Sequence, residues 1–182
     1  MIRAAELYTA AYIDTQRHLH AQPKGYGGKG DKWARVVADL AMEFDAMSLL
    51  DYGCGQGRLM AAVQDLNCNL SCRDYDPAIP SKSAPPVFAD LVTCTDVLEH
   101  IEPDKLGAVL THLRQLARKA VFVVIATRPS SKVLPDGRNA HLILEDESWW
   151  RDRVTAVGFT IHSHPVSPSP KPSREWVAVL LP

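Results

Sequence analysis

The sequence lacks long hydrophobic runs, a strong net charge and closely spaced cysteine pairs, and these absences restrict the kind of protein that it encodes. The longest unbroken apolar stretch, residues 120–126, is far too short to span a bilayer. The first residues lack the basic-then-apolar order of a signal peptide, so we expect a cytoplasmic protein with no membrane partner. A formal net charge of −1 predicts no general attraction to nucleic acid or membrane surfaces. The sequence leaves the oligomeric state open.

Cysteine is scarce, and the remaining composition is that of an ordinary soluble domain. The four cysteines show no C-x-x-C spacing, which favours free buried thiols over disulfides or a zinc site. A length of 182 residues and a hydrophobic content of 46% predict a single domain over residues 1–182. We expect an N-terminal helix (residues 2–19) and a glycine-rich lid within residues 1–31, followed by a core over residues 32–182.

Residues 48–59 have the pattern of a strand, a tight turn and the start of a helix. A short apolar run ends in Asp51, three glycines then alternate with other residues, and apolar residues at helical spacing begin at Leu59. Glycine takes positive φ angles freely and lets a ligand approach the main chain, so this turn suits the floor of a cofactor pocket. A second short strand ends in Asp74, about 20 residues after the first glycine. The pattern therefore predicts a nucleoside-binding half-fold.

Three motifs in order give the chain a family resemblance. Residues 51–57 (D-Y-G-C-G-Q-G) resemble the first motif of the class I S-adenosylmethionine-dependent methyltransferases. Residues 74–77 (D-Y-D-P) resemble the acid-containing end of their second strand, and residues 95–100 (T-D-V-L-E-H) are similar to the segment after their fourth strand. A dinucleotide-binding loop would have G-x-G-x-x-G, whereas the third glycine here comes one place early. The resemblance implies an α/β fold with a Rossmann-like sheet, mostly parallel with an antiparallel C-terminal hairpin.

The same resemblance implies S-adenosylmethionine as the cofactor and indicates which residues hold it. Asp51 is expected near its methionine end, Asp74 on the ribose and Tyr75 against the adenine. The glycine-rich residues 23–30 are predicted to be either a flexible connector or a lid, in which Tyr26 would contact the cofactor. The complete implied set for cofactor binding is Tyr26, Asp51, Gly53, Cys54, Gly55, Asp74, Tyr75, Thr95 and Asp96.

Residues 77–90 depart from the family pattern. Relatives usually place a helix, a third strand and an acid for the adenine amino group here, but four prolines leave little room for regular structure. We therefore expect the third strand to be short or absent, with adenine held by Tyr75 and by main-chain groups. Which residue recognises the adenine amino group stays open.

Two acids and an imidazole, Asp96, Glu99 and His100, follow the next predicted strand. In a helical turn they would share one side and form half of a site for a divalent cation. The RNA-end ribose methyltransferases and some small phenol O-methyltransferases have a similar E-x-x-E-H arrangement that binds a metal. The RNA group adds a later histidine, which His141 matches. In other relatives no metal is present, and the histidine either only hydrogen-bonds a neighbour or acts as a base. His100 or His141 would then be the catalytic base.

The activity that the resemblance implies is methyl transfer from S-adenosylmethionine to an oxygen or nitrogen of a small-molecule acceptor. Basic residues near the predicted rim indicate either an acceptor with negative charge or simply solvated loop charges: Lys24, Lys29, Arg128, Lys132 and Arg138. One alternative is a metal-dependent RNA-terminal ribose 2'-O-methyltransferase, which would make nucleic acid the partner. Another is a non-catalytic module that only binds S-adenosylmethionine. Acceptor specificity in this fold lies in variable loops, so the sequence does not choose the acceptor.

Overall fold

A computed structural model describes residues 2–21, 27–66, 69–162 and 174–182. The described strands are β1 (Ser48–Tyr52), β2 (Ser71–Tyr75), β3 (Ala89–Thr95), β4 (Ala117–Ala126), β5 (Thr160–His162) and β6 (Glu175–Leu181). They form one six-stranded sheet in the order β2-β1-β3-β4-β6-β5. The first four strands in this order run parallel, whereas β6 is antiparallel to both β4 and β5. The predicted fold class, including the antiparallel C-terminal hairpin, is confirmed.

The two central strands are apolar along nearly their whole length because helices cover both faces of the sheet. All residues of β4 from 120 to 126 are at most 1% exposed, and Val92 of β3 lies opposite Val121 of β4. Successive side chains alternate between the two faces, as the pleat requires. Val121, Val123 and Ile125 pack in one core, and Ala120, Phe122 and Val124 pack in the other.

Two pairs of helices cover the two faces of the sheet. Helices α3 (Ala34–Glu43) and α4 (Arg58–Leu66) pack on one face. Helices α5 (Leu106–Leu116) and α6 (Glu147–Ala156) pack on the other, because each has apolar residues at helical spacing along one side. No helix in the described ranges is both long enough and apolar enough to cross a membrane.

The segment between β2 and β3, which is described throughout, contains no strand. Its regular structure is a single 3-10 turn, Pro80–Lys82. β3 therefore pairs directly with β1, and Leu91 lies opposite Leu49. Proline lacks the N–H that a sheet ladder needs, which explains why this proline-rich segment does not extend the sheet beyond β2. The prediction that the third strand is short or absent is confirmed.

The predicted N-terminal helix is interrupted. The structure has a short helix, α1 (Ala4–Leu7), and a separate helix, α2 (Ala10–His20). Thr9 causes the break, because its hydroxyl oxygen accepts a hydrogen bond of 3.1 Å from the N–H of Tyr12 and thereby caps α2. Its own N–H and hydroxyl donate to the carboxylate of Glu102, at 2.8 and 2.7 Å. A single continuous helix was therefore the wrong prediction, and the break directs α2 along the carboxyl edge of the sheet.

Candidate active site

The glycine loop leaves β1 at the carboxyl edge of the sheet. Gly53 has a φ of +78° and Gly55 a φ of +51°, both in the left-handed region that favours glycine. A Cβ at Gly53 would collide with the side chain of Val97, and a Cβ at Gly55 would lie 2.5 Å from the carbonyl oxygen of Gly27. The loop therefore reaches this shape only with glycine, and it presents bare main chain to the space above it.

A cavity of about 560 Å³ lies over this loop. Its floor is formed by the loop and by the carboxyl ends of β1 and β3, and its walls are α2 and the segments that follow β3 and β4. This volume and this position at the carboxyl edge are typical of small-molecule sites in open α/β sheets. Six of the residues predicted for cofactor binding line the cavity: Asp51, Gly53, Cys54, Gly55, Thr95 and Asp96. Tyr26 lies outside the described residues.

Asp74 and Tyr75 lie away from the cavity, and this corrects their predicted positions. Asp74 is still within the β2 ladder, opposite Asp51, and its carboxylate lies 2.9 Å from the ammonium of Lys82. Tyr75 is 3% exposed, and its ring packs on that of Tyr52 with 5.0 Å between the ring centroids. A ring buried in this core cannot stack on an adenine in the cavity, so the prediction for Tyr75 was wrong.

Asp76, which was not predicted as a site residue, lies on the cavity wall one residue beyond β2. Its carboxylate accepts hydrogen bonds from the N–H of Gly55 at 3.0 Å and from the N–H of Ala78 at 2.9 Å. The Nε2 atom of His20 lies 3.7 Å from the same carboxylate. The sequence has acids at both 74 and 76, and only the exact end of the strand decides which of them reaches the cavity. That boundary is the feature that sequence patterns define least well.

Asp51 provides a buried carboxyl in the cavity floor. It is 2% exposed, and the hydroxyl of Thr93 donates a hydrogen bond to it over 2.9 Å. Burial raises the pKa of Asp51 to about 7, although the Thr93 hydrogen bond acts in the opposite direction. A cationic group bound beside this carboxyl would stabilise its ionised form.

Glu99 is completely buried in the 3-10 turn Leu98–His100. Its Oε1 atom accepts a hydrogen bond of 3.0 Å from the N–H of Ala126, whereas Oε2 has no hydrogen-bond partner within the described part of the chain. Burial, and secondarily the charge of Asp96, raises the pKa of Glu99 to about 8. At neutral pH this carboxyl is therefore mostly protonated unless a cation lies beside it.

The imidazoles of His100 and His141 meet at the cavity wall. Their ring centroids are 4.7 Å apart in an edge-to-face arrangement. In each ring Nδ1 lies within hydrogen-bond distance of a main-chain carbonyl oxygen, 2.7 Å from Ala140 for His100 and 2.6 Å from Arg128 for His141. A carbonyl only accepts, so Nδ1 carries the proton and Nε2 carries the lone pair in each neutral ring. Burial lowers the pKa of His100 to about 4 and also lowers the pKa of His141, so both rings are neutral at pH 7.

Three of the four residues predicted to bind a metal come together. One ligand atom from each of Glu99, His100 and His141 lies within 4.8 Å of the others. One carboxylate and two imidazoles are a donor set that suits a divalent transition metal. Asp96 is not in this group, because its main chain is left-handed, with a φ of +55°, and its carboxylate lies 4.0 Å from the ammonium of Lys32. The structure therefore brings three of the four predicted residues together and leaves Asp96 outside that group.

Helix α2 contributes a wall of the cavity. The N-terminal helix was expected to cover the site or one edge of the sheet, but none of its residues was predicted as a site residue. Tyr12, Gln16 and His20 recur at a spacing of four residues, so they share one face of the helix, and all three line the cavity. Tyr8, two residues before the helix begins, adds a second aromatic ring to this wall. The i, i+4, i+8 spacing of these three residues could have predicted that they share a face. It could not have predicted that this face lines a ligand site, because aromatic and polar residues occur on several sides of the helix.

The basic residues predicted at the rim separate into three groups. Lys29, Arg128 and Lys132 line the cavity. Arg138 does not line it; its side chain is 62% exposed and forms an ion pair of 2.7 Å with an aspartate two residues earlier. Lys24 lies outside the described ranges. Three of the five basic residues predicted at the rim therefore line the cavity, from the segments after β4 and before α3.

Comparison with known proteins agrees with this architecture. Residues 26–164 match the family model described as a methyltransferase domain. An O-methyltransferase family protein from Burkholderia thailandensis superposes with a TM-score of 0.62 at 16% identity, over 94% of this chain and 58% of that one. The 1,6-didemethyltoxoflavin-N1-methyltransferase of the same organism gives a TM-score of 0.59 at 17% identity, over 94% and 84%. Magnesium protoporphyrin IX methyltransferase from Synechocystis PCC 6803 gives 0.56 at 15% identity, over 94% and 90%.

The fold is therefore that of the class I S-adenosylmethionine-dependent methyltransferases. The chain belongs to the methyltransferase-domain family, because the family model matches well over half of its length. The chain spans 58%, 59% and 53% of the lengths of the first three structures that it resembles. No protein of curated function matches the sequence.

Proposed function

We propose that the chain is an S-adenosylmethionine-dependent methyltransferase that acts on an oxygen or nitrogen of a small-molecule acceptor. The observation that carries this proposal is a single cavity that joins the glycine loop and Asp76 to the neutral imidazoles of His100 and His141. The solved relatives support the cofactor and the acceptor class, since one contains S-adenosylhomocysteine with 1,6-didemethyltoxoflavin and another contains S-adenosylmethionine.

The residues around the glycine loop suit this cofactor. Gly53 and Gly55 line the cavity, and their left-handed φ angles let the main chain form its floor, where a nucleoside can approach closely. We assign the ribose hydroxyls to Asp76 rather than Asp74, because only the carboxylate of Asp76 lines the cavity. We assign the cationic methionine end to Asp51, whose buried carboxyl a positive charge would ionise. S-adenosylmethionine supplies a methyl group that is already activated on a sulfonium.

The chain's own residues then need to align the acceptor and take up its proton. His100 and His141 are neutral at pH 7, and each carries its lone pair on Nε2. An acceptor hydroxyl placed beside either Nε2 atom loses its proton to the ring as its oxygen is methylated. The carbonyl oxygens of Ala140 and Arg128 hold the two rings in the tautomer that this step requires.

Calorimetric titration with S-adenosylhomocysteine, followed by an assay with S-adenosylmethionine and a panel of hydroxy and amino compounds, tests the proposal. We expect binding, and turnover with at least one small acceptor. Replacing both histidines by glutamine should lower the turnover rate about 100-fold or more while leaving cofactor binding intact. Binding without turnover on any acceptor would indicate the non-catalytic binding module. Failure to bind S-adenosylhomocysteine would refute the proposal.

As an alternative to the base role of the two imidazoles, we further propose that Glu99, His100 and His141 bind a divalent cation. The Nε2 lone pairs then coordinate the ion instead of accepting the acceptor's proton. Oε2 of Glu99 is buried without a hydrogen-bond partner in the described residues, and a cation shared with the two Nε2 atoms would give it one. Nδ1 of each histidine donates to a main-chain carbonyl oxygen. In metal sites, hydrogen bonds of this kind orient the imidazoles that bind the ion. A cation held here would lower the pKa of an acceptor hydroxyl.

Titration with Mn²⁺ and Zn²⁺ in buffers of different ionisation enthalpy tests this cation site. Because the pKa of Glu99 is about 8, binding at pH 7 should release close to one proton per ion. Glu99→Gln should abolish both the binding and the proton release. Full activity after chelation, together with no measurable binding of either ion, would exclude the site. Cation-dependent methylation of an RNA oligonucleotide in preference to small acceptors would instead support the RNA-terminal ribose alternative.

A further inference from the structure

Gln16 lies in the middle of α2 and lines the cavity. Its side chain is only 6% exposed, and its Nε2 atom makes no hydrogen bond to any described residue. Buried amide donors are almost always hydrogen-bonded, because burial removes the water that would otherwise bond them. Gln16 therefore holds a donor group that has no partner among the described residues, on a side chain that lines the cavity.

The surroundings of Gln16 suit the acceptor. Tyr12, one helical turn before it, lines the cavity, as do the neighbouring apolar side chains of Tyr8 and Ile101. Aromatic and aliphatic surfaces of this kind suit a planar ring. His20, one turn after Gln16, lines the same cavity as His100. This face of α2 therefore shares the cavity with the proposed base.

We propose that Gln16 determines acceptor specificity by donating a hydrogen bond from Nε2 to a carbonyl-type oxygen of the acceptor, as found in a ketone or a carboxylate. This inference rests on the proposed function. The acceptor is then a hydroxylated ring compound with such an oxygen next to the hydroxyl. The hydroxyl oxygen bonds to the methyl carbon, the carbon–sulfur bond breaks with its electron pair going to sulfur, and the hydroxyl proton passes to an imidazole Nε2.

The test compares wild type with Gln16→Met, which keeps the length of the side chain and removes its amide. Asp14→Asn, on the exposed side of α2, is the matched control. Three probes are used: 2-hydroxyacetophenone, salicylate and 2-ethylphenol, of which the last has no carbonyl-type oxygen. We expect wild-type kcat/KM to be about tenfold higher for at least one of the first two probes than for 2-ethylphenol. Gln16→Met should remove that preference, and Asp14→Asn should keep it.

Two further readouts distinguish substrate recognition from a structural or cofactor role. The affinity of Gln16→Met for S-adenosylhomocysteine should equal that of wild type. The Tm of the ligand-free variant should be unchanged or higher by about 2–4 °C, because an unsatisfied buried donor is removed. If Gln16→Met loses more kcat/KM for salicylate than for 2-hydroxyacetophenone, the recognised oxygen belongs to a carboxylate. If it loses more for 2-hydroxyacetophenone, the recognised oxygen belongs to a neutral carbonyl.

Several outcomes would overturn the inference. A retained preference in Gln16→Met would show that the amide does not recognise the acceptor. A lower affinity for S-adenosylhomocysteine would assign the amide to the cofactor, and a lower Tm would show that it supports the fold. No transfer to any of the three phenols by protein that binds S-adenosylhomocysteine would refute the acceptor class. Absence of cofactor binding would instead refute the proposed function itself.

Discussion

At the scale of single residues, burial sets the protonation states of the groups around the cavity. Asp51 and Glu99 are carboxyls whose pKa values rise to about 7 and about 8, whereas the pKa of His100 falls to about 4. Each shift favours the neutral form, as expected where water is excluded. The protein therefore holds several groups that would ionise readily in water but stay neutral in the folded state, and this should be visible in its stability.

Glu99 should make the protein less stable as pH rises from about 4.5 to about 8. In that range the folded carboxyl retains a proton that the unfolded chain, with its ordinary pKa of 4.5, has already lost. The stability present below pH 4.5 is thus lost as pH rises through the folded pKa. Glu99→Gln should remove up to about 4 kcal/mol of this pH dependence. Urea unfolding of wild type and Glu99→Gln at pH 5 and pH 8 measures this difference. The same change in the free energy of unfolding between the two pH values in both proteins would contradict the raised pKa of Glu99.

Gly53 should tolerate no side chain. Gly53→Ala combines a left-handed main chain with a collision against Val97, so we expect a loss of about 1–3 kcal/mol in the free energy of unfolding. Binding of S-adenosylhomocysteine should fall below detection. Gly107→Ala is the matched control, because it lies in helix α5 with nothing within 4 Å of the added Cβ. It should gain about 0.5–1 kcal/mol. Calorimetry measures the affinity for S-adenosylhomocysteine, and urea unfolding measures the free energy of unfolding. Equal affinity and equal stability of the two variants would show that Gly53 is not required for the shape of the loop.

At the scale of elements, the position of α2 depends on how the chain enters it. The break at Thr9 separates α2 from α1, and the hydrogen bonds from Thr9 to Glu102 attach the start of α2 to the segment that precedes α5. A continuous helix would place Tyr12 and Gln16 on a different axis. The cap at Thr9 therefore helps to position the cavity wall that α2 forms.

Thr9→Ala should destabilise the protein by about 1–2 kcal/mol, because it removes the cap of α2 and the hydroxyl bond to Glu102. Thr15→Ala, in the same helix, is the control; among the described residues its hydroxyl donates to the carbonyl of Ala11, one turn earlier. That variant should change stability by less than about 0.5 kcal/mol. Urea unfolding gives both values, and similar losses in the two variants would argue against a special role for Thr9.

At the scale of the whole molecule, stability should be highest in the centre of the sheet. β3 and β4 are buried on both faces, whereas β5 is a three-residue strand at the edge. Amides of β3 and β4 should exchange with solvent only through global unfolding, and amides of β5 through local opening of lower free energy. Native-state hydrogen exchange in increasing denaturant measures this order. Equal protection of β4 and β5 would contradict it.

The sequence predicted the large features of the molecule and failed where a boundary of one or two residues decides the outcome. Glycine spacing and apolar runs located the loop and the central strands, because those patterns follow from main-chain sterics and burial. The choice between Asp74 and Asp76 depends on where β2 ends, and the burial of Tyr75 depends on which face it occupies. Thr9 interrupted an amphipathic pattern through a tertiary contact with Glu102, which local periodicity does not record.

The missing third strand has a consequence for the nucleobase of the methyl donor. With no strand beyond β2, the residues that follow Asp76 along the cavity wall are Pro77 and Ala78, neither of which has a polar side chain. A pocket that recognises an exocyclic amino group through a side-chain partner rejects analogues without it by orders of magnitude. Here we expect S-inosylhomocysteine to compete within about tenfold of S-adenosylhomocysteine. A competition titration that shows a much larger gap would indicate a polar contact to the purine. The absence of this strand thus predicts that the protein recognises its methyl donor through the ribose and the sulfonium and discriminates little between purine rings.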